Sequence, residues 1–146
     1  MRTPQQTELT DQVRRSGLRA TAGRVATLDY VTAHPHSTSA EIHAGLSGRL
    51  PTMSMQSIHN AVNDMTEKGL LRKLELPGAA RYETRTGDNH HHIRCIKCGR
   101  LEDVDCVVGE APCLDLEHRE AMPVVLSADV TFQAVCADCL AAEEAS

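Results

Sequence analysis

The chain has 146 residues, 41% of them hydrophobic but only 2% aromatic, with no Trp and a formal net charge of −5. That length makes one or two small domains with aliphatic cores, which a structural metal or dimerisation would support. No apolar run approaches the roughly 20 residues of a membrane-spanning helix, and the polar N-terminus lacks the apolar stretch of a secretion signal, so a cytoplasmic location is expected.

The charge is unevenly spread. Residues 1–87 hold 11 Lys+Arg against 8 Asp+Glu, whereas residues 88–146 hold 4 against 12 and all six cysteines. A mildly basic half without Cys and an acidic, Cys-rich half predict two domains, 1–86 and 87–146.

Thr3-Pro4-Gln5-Gln6 reads as an N-cap, a Pro in the first turn and a capping-box Gln, so a first helix should run to Ser16-Gly17. Thr21 can cap a second helix with Val25, Leu28 and Val31 on one face, ended by His34-Pro35. Thr38-Ser39-Ala40-Glu41 is a capping box for a third helix, with Ile42 and Leu46 facing inward. Past Pro51, Ser54 can cap a fourth helix whose stripe is Ile58, Ala61, Val62 and Met65, ended by Lys68-Gly69. Strands at 70–76 and 80–84 flank Pro77-Gly78-Ala79 as a hairpin. Helices followed by such a hairpin make a winged helix-turn-helix, with Ser54–Lys68 as recognition helix.

After a hinge at Thr86-Gly87-Asp88, strands are expected at 91–95 and 101–104, a helical or irregular stretch at 109–121, and a last strand over 124–135. The predicted class is α+β: an N-terminal winged helix-turn-helix and a C-terminal α/β domain with a small antiparallel sheet.

Metal-ligand chemistry is concentrated in that second half. Cys95-x-x-Cys98 and Cys136-x-x-Cys139, separated by 37 residues, offer four thiolates to a tetrahedral structural Zn2+. A thiol–disulfide switch is the alternative, although one pair would suffice for it. His90 and His92 alternate, so on a strand both imidazoles share a face, unlike those of a solvated His run. A divalent ion there needs further ligands, carboxylates for Fe(II) or Mn(II). Glu83 and Asp103 are near in sequence, and His36 would add a donor from the first half. Cys106 and Cys113 are left over, as reduced, partly buried thiols.

For DNA, Arg14, Arg15, Arg19 and Arg24 are candidate phosphate contacts. Ser54, Gln56, Ser57, His59 and Asn60 lie early on the recognition helix, where base edges are read; capping and solvation compete for the same residues, Ser54 first. A zinc-dependent hydrolase built on the His cluster is a remote alternative, since no H-E-x-x-H occurs. His118-Arg119-Glu120 and Pro112-Cys113 stand in the reverse of a zinc deaminase order, with Leu116 where a second Cys is required. No enzymatic activity is expected.

Leu18-Arg19-Ala20-Thr21-Ala22-Gly23-Arg24, His36-Ser37-Thr38-Ser39-Ala40-Glu41-Ile42, Ser54–Val62, the H-x-H-x-x-C-x-x-C-G element and the terminal C-x-x-C together resemble the ferric uptake regulator superfamily over nearly the whole chain. Residues 87–92 and 104–113 are especially similar to its actinobacterial, FurA-like and peroxide-responsive branch. The resemblance implies a homodimeric repressor binding double-stranded DNA at an AT-rich inverted-repeat operator, with the C-terminal sheet forming the dimer. It implies control of catalase-peroxidase or other oxidative-stress genes, and a regulatory Fe2+, with Mn2+ as substitute, held by His36, Glu83, His90, His92 and Asp103. Asp103 resembles the peroxide-sensing pattern and Glu83 the iron-sensing one, so a sensor of iron, manganese or zinc without peroxide chemistry is the alternative. Peroxide sensing would oxidise His36 or His90. His59 stands where the family has Tyr, which bears on the operator. Ala128-Asp129 stands where an additional site would need a His, which leaves His91 expected to be exposed.

Overall fold

A computed structural model describes residues 1–88, 90–105, 121, 124 and 129–145. They fall into two compact units, Met1–Gly87 and Asp88–Ser146.

The first unit is built on capped helices. In α1 (Pro4–Arg15) Thr3 and Gln6 exchange both bonds of the capping box, and Pro4 occupies the first turn. Thr21 caps α2 (Ala22–Ala33) through the Arg24 N–H. Thr38 caps α3 (Ser39–Leu46) through the Glu41 N–H, without the reciprocal side-chain bond among the described residues. Ser54 caps α4 (Met55–Glu67) through the Ser57 N–H. Such caps satisfy helix N–H groups that have no partner within the helix.

The apolar stripes of these helices meet in one core. Val13, Val31, Ile42, Ile58, Val62 and Met65 are fully buried, with Leu9, Leu28, Leu46, Ala61 and Leu71 nearly so, and Tyr82 is the buried aromatic. Val25, expected inside, is half-buried at the rim. Gly45 leaves the space that the Tyr30 ring fills.

A small antiparallel sheet in the order β1-β3-β2 completes the unit, from β1 (Ser37–Thr38), β2 (Arg72–Leu74) and β3 (Arg81–Glu83). The hairpin strands are shorter than their apolar pattern suggests. β1 has no precedent in that pattern, because two residues carry no periodicity and Ser37 finds its partner at Tyr82.

In the second unit β4 (His90–Cys95) is central, flanked by β5 (Leu101–Asp105) and β6 (Thr131–Ala134), with α5 (Ala137–Glu144) following. The α+β class holds, but the sheet expected to be antiparallel is mixed. β4 pairs antiparallel with β5 and parallel with β6. Parallel pairing needs a connection of about a dozen residues or more, and the long segment between β5 and β6 provides one. β6 is also much shorter than the stretch from 124 to 135. His91, expected to be exposed, is 6% exposed and packs edge-on against Phe132, because the alternation that aims His90 and His92 one way aims His91 the other. Cys106, Cys113 and nearly all of 109–121 lie outside the described residues.

Candidate metal centres and nucleic-acid face

The four cysteines form a cluster in the second unit. Their Sγ atoms all lie within 4.8 Å of one another. Cys95 ends β4, and the chain turns through Gly99, whose φ of 80° suits glycine. The Gly99 N–H donates to the Cys95 carbonyl at 2.9 Å, which closes the first C-x-x-C loop. Parallel pairing of Cys95 with Ala134 brings the second motif to the same end of the sheet, where Cys136 immediately precedes α5 and Cys139 lies in its first turn. A tetrahedral ion with metal–sulfur bonds of about 2.3 Å sets its sulfurs about 3.8 Å apart, and Cys98 Sγ lies 3.8 Å from Cys136 Sγ. The donor set fits Zn2+.

The backbone prepares these thiols unequally. The Cys136 N–H donates to Cys95 Sγ at 3.4 Å, and with the Cys98 N–H it lowers the Cys95 thiol to about 6. Cys139 is pushed up to about 12, first by its hydrogen bond with Cys136 and then by desolvation. One thiolate is thus ready at neutral pH, while a proton is held elsewhere in the cluster until an ion replaces it.

Nitrogen and oxygen donors gather in each unit. In the first, Ser37 pairs with Tyr82, so the next residues outward, His36 and Glu83, face each other with His36 Nε2 3.2 Å from Glu83 Oε2. Glu83 is 1% exposed, and Arg72 Nη1 lies 3.9 Å from its other oxygen. His36 has a φ of 68°, a left-handed backbone that few non-glycine residues adopt. Its amide is held by the Tyr82 carbonyl at 2.9 Å.

In the second unit, His92 is directly opposite Asp103, with Nε2 3.3 Å from Oδ1, and His90 Nε2 is 3.7 Å from the same oxygen. Both rings are buried and meet edge-on at 4.7 Å. Asp88, which the pattern did not single out, lies 2.7 Å from His90 Nδ1. A carboxylate there fixes the proton on Nδ1 and leaves Nε2 to act as a ligand. The signal available was an acid two residues before a candidate ligand.

On the DNA candidates, Arg19 is exposed. Arg24 is turned inward instead: its guanidinium donates to Asp64 Oδ2 at 2.9 Å and to the Arg19 carbonyl at 2.9 Å, tying α2 to α4. Arg14 lies 3.9 Å from Asp11 on the surface, and Arg15 is exposed. Ser54 spends its hydroxyl on the cap and lies 3.0 Å from the Ser57 hydroxyl. Gln56, His59 and Asn60 are exposed on α4.

The model of the ferric uptake regulator family matches residues 15–111. The transcriptional regulator FurA of Mycobacterium tuberculosis H37Rv is 43% identical over 130 residues, 88% of each chain. The peroxide-responsive repressor PerR of Staphylococcus epidermidis is 31% identical over 134 residues, covering 87% of this chain and 85% of that one. Among solved structures, the Helicobacter pylori ferric uptake regulator superposes with a TM-score of 0.73 at 19% identity, over 93% of this chain and 91% of that one. This chain belongs to the ferric uptake regulator family, whose members are metal-responsive transcriptional regulators and not enzymes.

Proposed function

We propose that the chain is a homodimeric, metal-dependent repressor that binds an AT-rich inverted-repeat operator and senses Fe2+ and peroxide. Residues 1–86 serve as the winged-helix DNA-binding domain and 87–146 as the metal-binding dimerisation domain. The observation that carries the reading is donor chemistry. Each unit holds imidazole beside carboxylate, His36 with Glu83 and His90 and His92 with Asp103, a mixed set that suits Fe2+ or Mn2+.

In this reading those five residues ligate one regulatory ion, while Cys95, Cys98, Cys136 and Cys139 hold a structural Zn2+. Bound iron supplies affinity for this donor set and reactivity toward peroxide. Asp88 orients His90, and Arg72 neutralises part of the charge of buried Glu83. An ion held by these residues would favour the DNA-competent arrangement only by the difference between its affinities for that arrangement and for the others. Oxidation of His36 or His90 by peroxide would remove a ligand, and with it that difference. Arg19 approaches phosphate, Gln56, Ser57, His59 and Asn60 face the bases, and Ser54 and Arg24 position α4 for them. Exposed Phe132, Val135 and Leu140 support a dimer formed through the second unit.

Control of catalase-peroxidase and oxidative-stress genes in the cytoplasm is part of this proposal, and the likeness to a peroxide-responsive repressor supports it. No helix among the described residues is long and apolar enough to cross a membrane. A second reading, sensing of iron, manganese or zinc without peroxide chemistry, is favoured by Glu83. Operator binding measured with Fe2+, Mn2+ and Zn2+, with and without peroxide, tests both readings. Release from DNA by peroxide only in the Fe2+ form, with added oxygen on His36 or His90 by mass spectrometry, supports the first; DNA binding indifferent to chelator sinks both.

A further inference from the structure

The first two turns of α4 offer several exposed polar side chains, but their hydrogen-bonding capacity is not equally free. The Ser54 hydroxyl accepts the Ser57 N–H and lies 3.0 Å from the Ser57 hydroxyl, so these two engage each other. Gln56 and Asn60, one helical turn apart, form a different unit: Gln56 Nε2 donates to Asn60 Oδ1 at 3.0 Å. Both are exposed, while Ile58, Ala61 and Val62 turn the other way into the core.

Each amide has an oxygen and an NH2 group. The bond between them uses one of the two Gln56 N–H groups and leaves the other beside the Gln56 oxygen. If both amides are turned over, Asn60 donates to Gln56 and keeps its own oxygen beside its second N–H. Either way one amide keeps an acceptor beside a donor, and the other amide is bonded to it from one helical turn away. In the major groove adenine presents the N6 donor beside the N7 acceptor, which is the complement. Guanine presents two acceptors, N7 and O6. Thymine presents O4 and a methyl group, and cytosine only the N4 donor.

We propose that Gln56 and Asn60 act together as a preformed fork that selects an adenine at one position of each operator half-site. The fork rests on the DNA-binding reading of α4. An ordinary Gln or Asn side chain must give up its rotamer freedom when it binds a base, and the mutual bond offsets part of that cost. His59, on the neighbouring part of the same surface, is left to contact an adjoining base or phosphate.

The test uses the full chain loaded with Mn2+ and duplexes selected from a randomised pool by the wild-type protein. The fork predicts an adenine at one half-site position, preferred over the other bases by roughly 5- to 150-fold. That preference is lost in both Gln56→Ala and Asn60→Ala. Replacing that adenine by its deaza analogue, which lacks N7, weakens wild-type binding and has no further effect on Asn60→Ala. Retention of the base preference in either variant overturns the fork, as does its loss at several positions at once. Wild-type protein that binds no duplex with any of the three ions overturns the DNA-binding reading itself. Adenine preference at that one position that survives both substitutions overturns the fork alone.

Discussion

His92 and Asp103 stand directly opposite each other on neighbouring antiparallel strands, with imidazole and carboxylate 3.3 Å apart, so one β-ladder sets the distance between two donors of different chemistry. The spacing therefore depends on strand pairing and not on the rotamers of a loop. His92→Ala is expected to lower Mn2+ affinity at least as far as loss of an outer partner does, about 10- to 100-fold. Zinc content should stay at one per chain. Titration calorimetry and elemental analysis on the same sample check both halves of this expectation.

Asp88 is expected to act through His90. Asp88→Ala leaves every proposed ligand in place but frees the His90 proton from Nδ1. Mn2+ affinity should fall by about 10- to 100-fold, and Asp88→Asn, which keeps an oxygen acceptor, should recover part of the loss. A calorimetric titration of the two variants that matches wild type would remove Asp88 from the site.

The thiol cluster gives a pH expectation for protein stripped of zinc. Cys95 lies at about 6, below its ordinary value of 9.0, so its contribution to stability is complete above 9.0 and lost as pH falls through 6. Cys139 lies at about 12, above 9.0, so its contribution is complete below 9.0 and lost as pH rises through 12. Ultraviolet thiolate absorbance should show one early step near 6 and a late one near 12. A single step near 9 for all of them would contradict the hydrogen bonds described for this cluster.

Cys136→Ser removes a proposed zinc ligand and the sulfur that lies 3.8 Å from Cys98 Sγ, while the Cys136 N–H that reaches Cys95 remains. Amide hydrogen exchange of β4, β5 and β6 is expected to lose most of its protection, because structural zinc supplies folding free energy outright. Protection of α2 and α4 should persist, since their core is their own. Equal loss in both units would mean that they do not fold independently.

Gly45→Ala puts a methyl group where the Tyr30 ring lies, while that ring is stacked on His34. The ring must swing outward, at an expected cost of about 1 kcal/mol in a denaturant titration. In a Tyr30→Ala background the same change should cost nothing. That non-additivity, rather than the size of either effect alone, is the diagnostic result.

What the sequence made legible was mainly local. Thr3, Thr21, Thr38 and Ser54 cap the helices they were expected to cap, because a cap depends on residues three positions apart. The stripe Ile58, Ala61, Val62, Met65 is buried for a similar reason: its period belongs to the helix alone. Partnerships set at long range were less visible. β1 exists through Tyr82, and the parallel course of β6 depends on a crossover rather than on any pattern within Thr131–Ala134. Alternation correctly aligned His90 with His92, but the ring that His91 meets edge-on, Phe132, lies about 40 residues away. Charge alone could not tell that Arg24 would turn toward Asp64.

The parallel run of β4 and β6 has a consequence for synthesis. No turn can join two strands that run the same way, so the ends that carry the cysteines meet only across the 38 positions from Cys98 to Cys136. During translation the first pair of thiols emerges early and waits with half of its partners missing. The clamp closes only once Cys139 has left the ribosome, well after the helices of the first unit have had their chance to fold. A chain released before that point would carry a finished helical unit and an unclosed one. The cysteine cluster thus separates, in time, folding of the part expected to touch DNA from folding of the part expected to govern it.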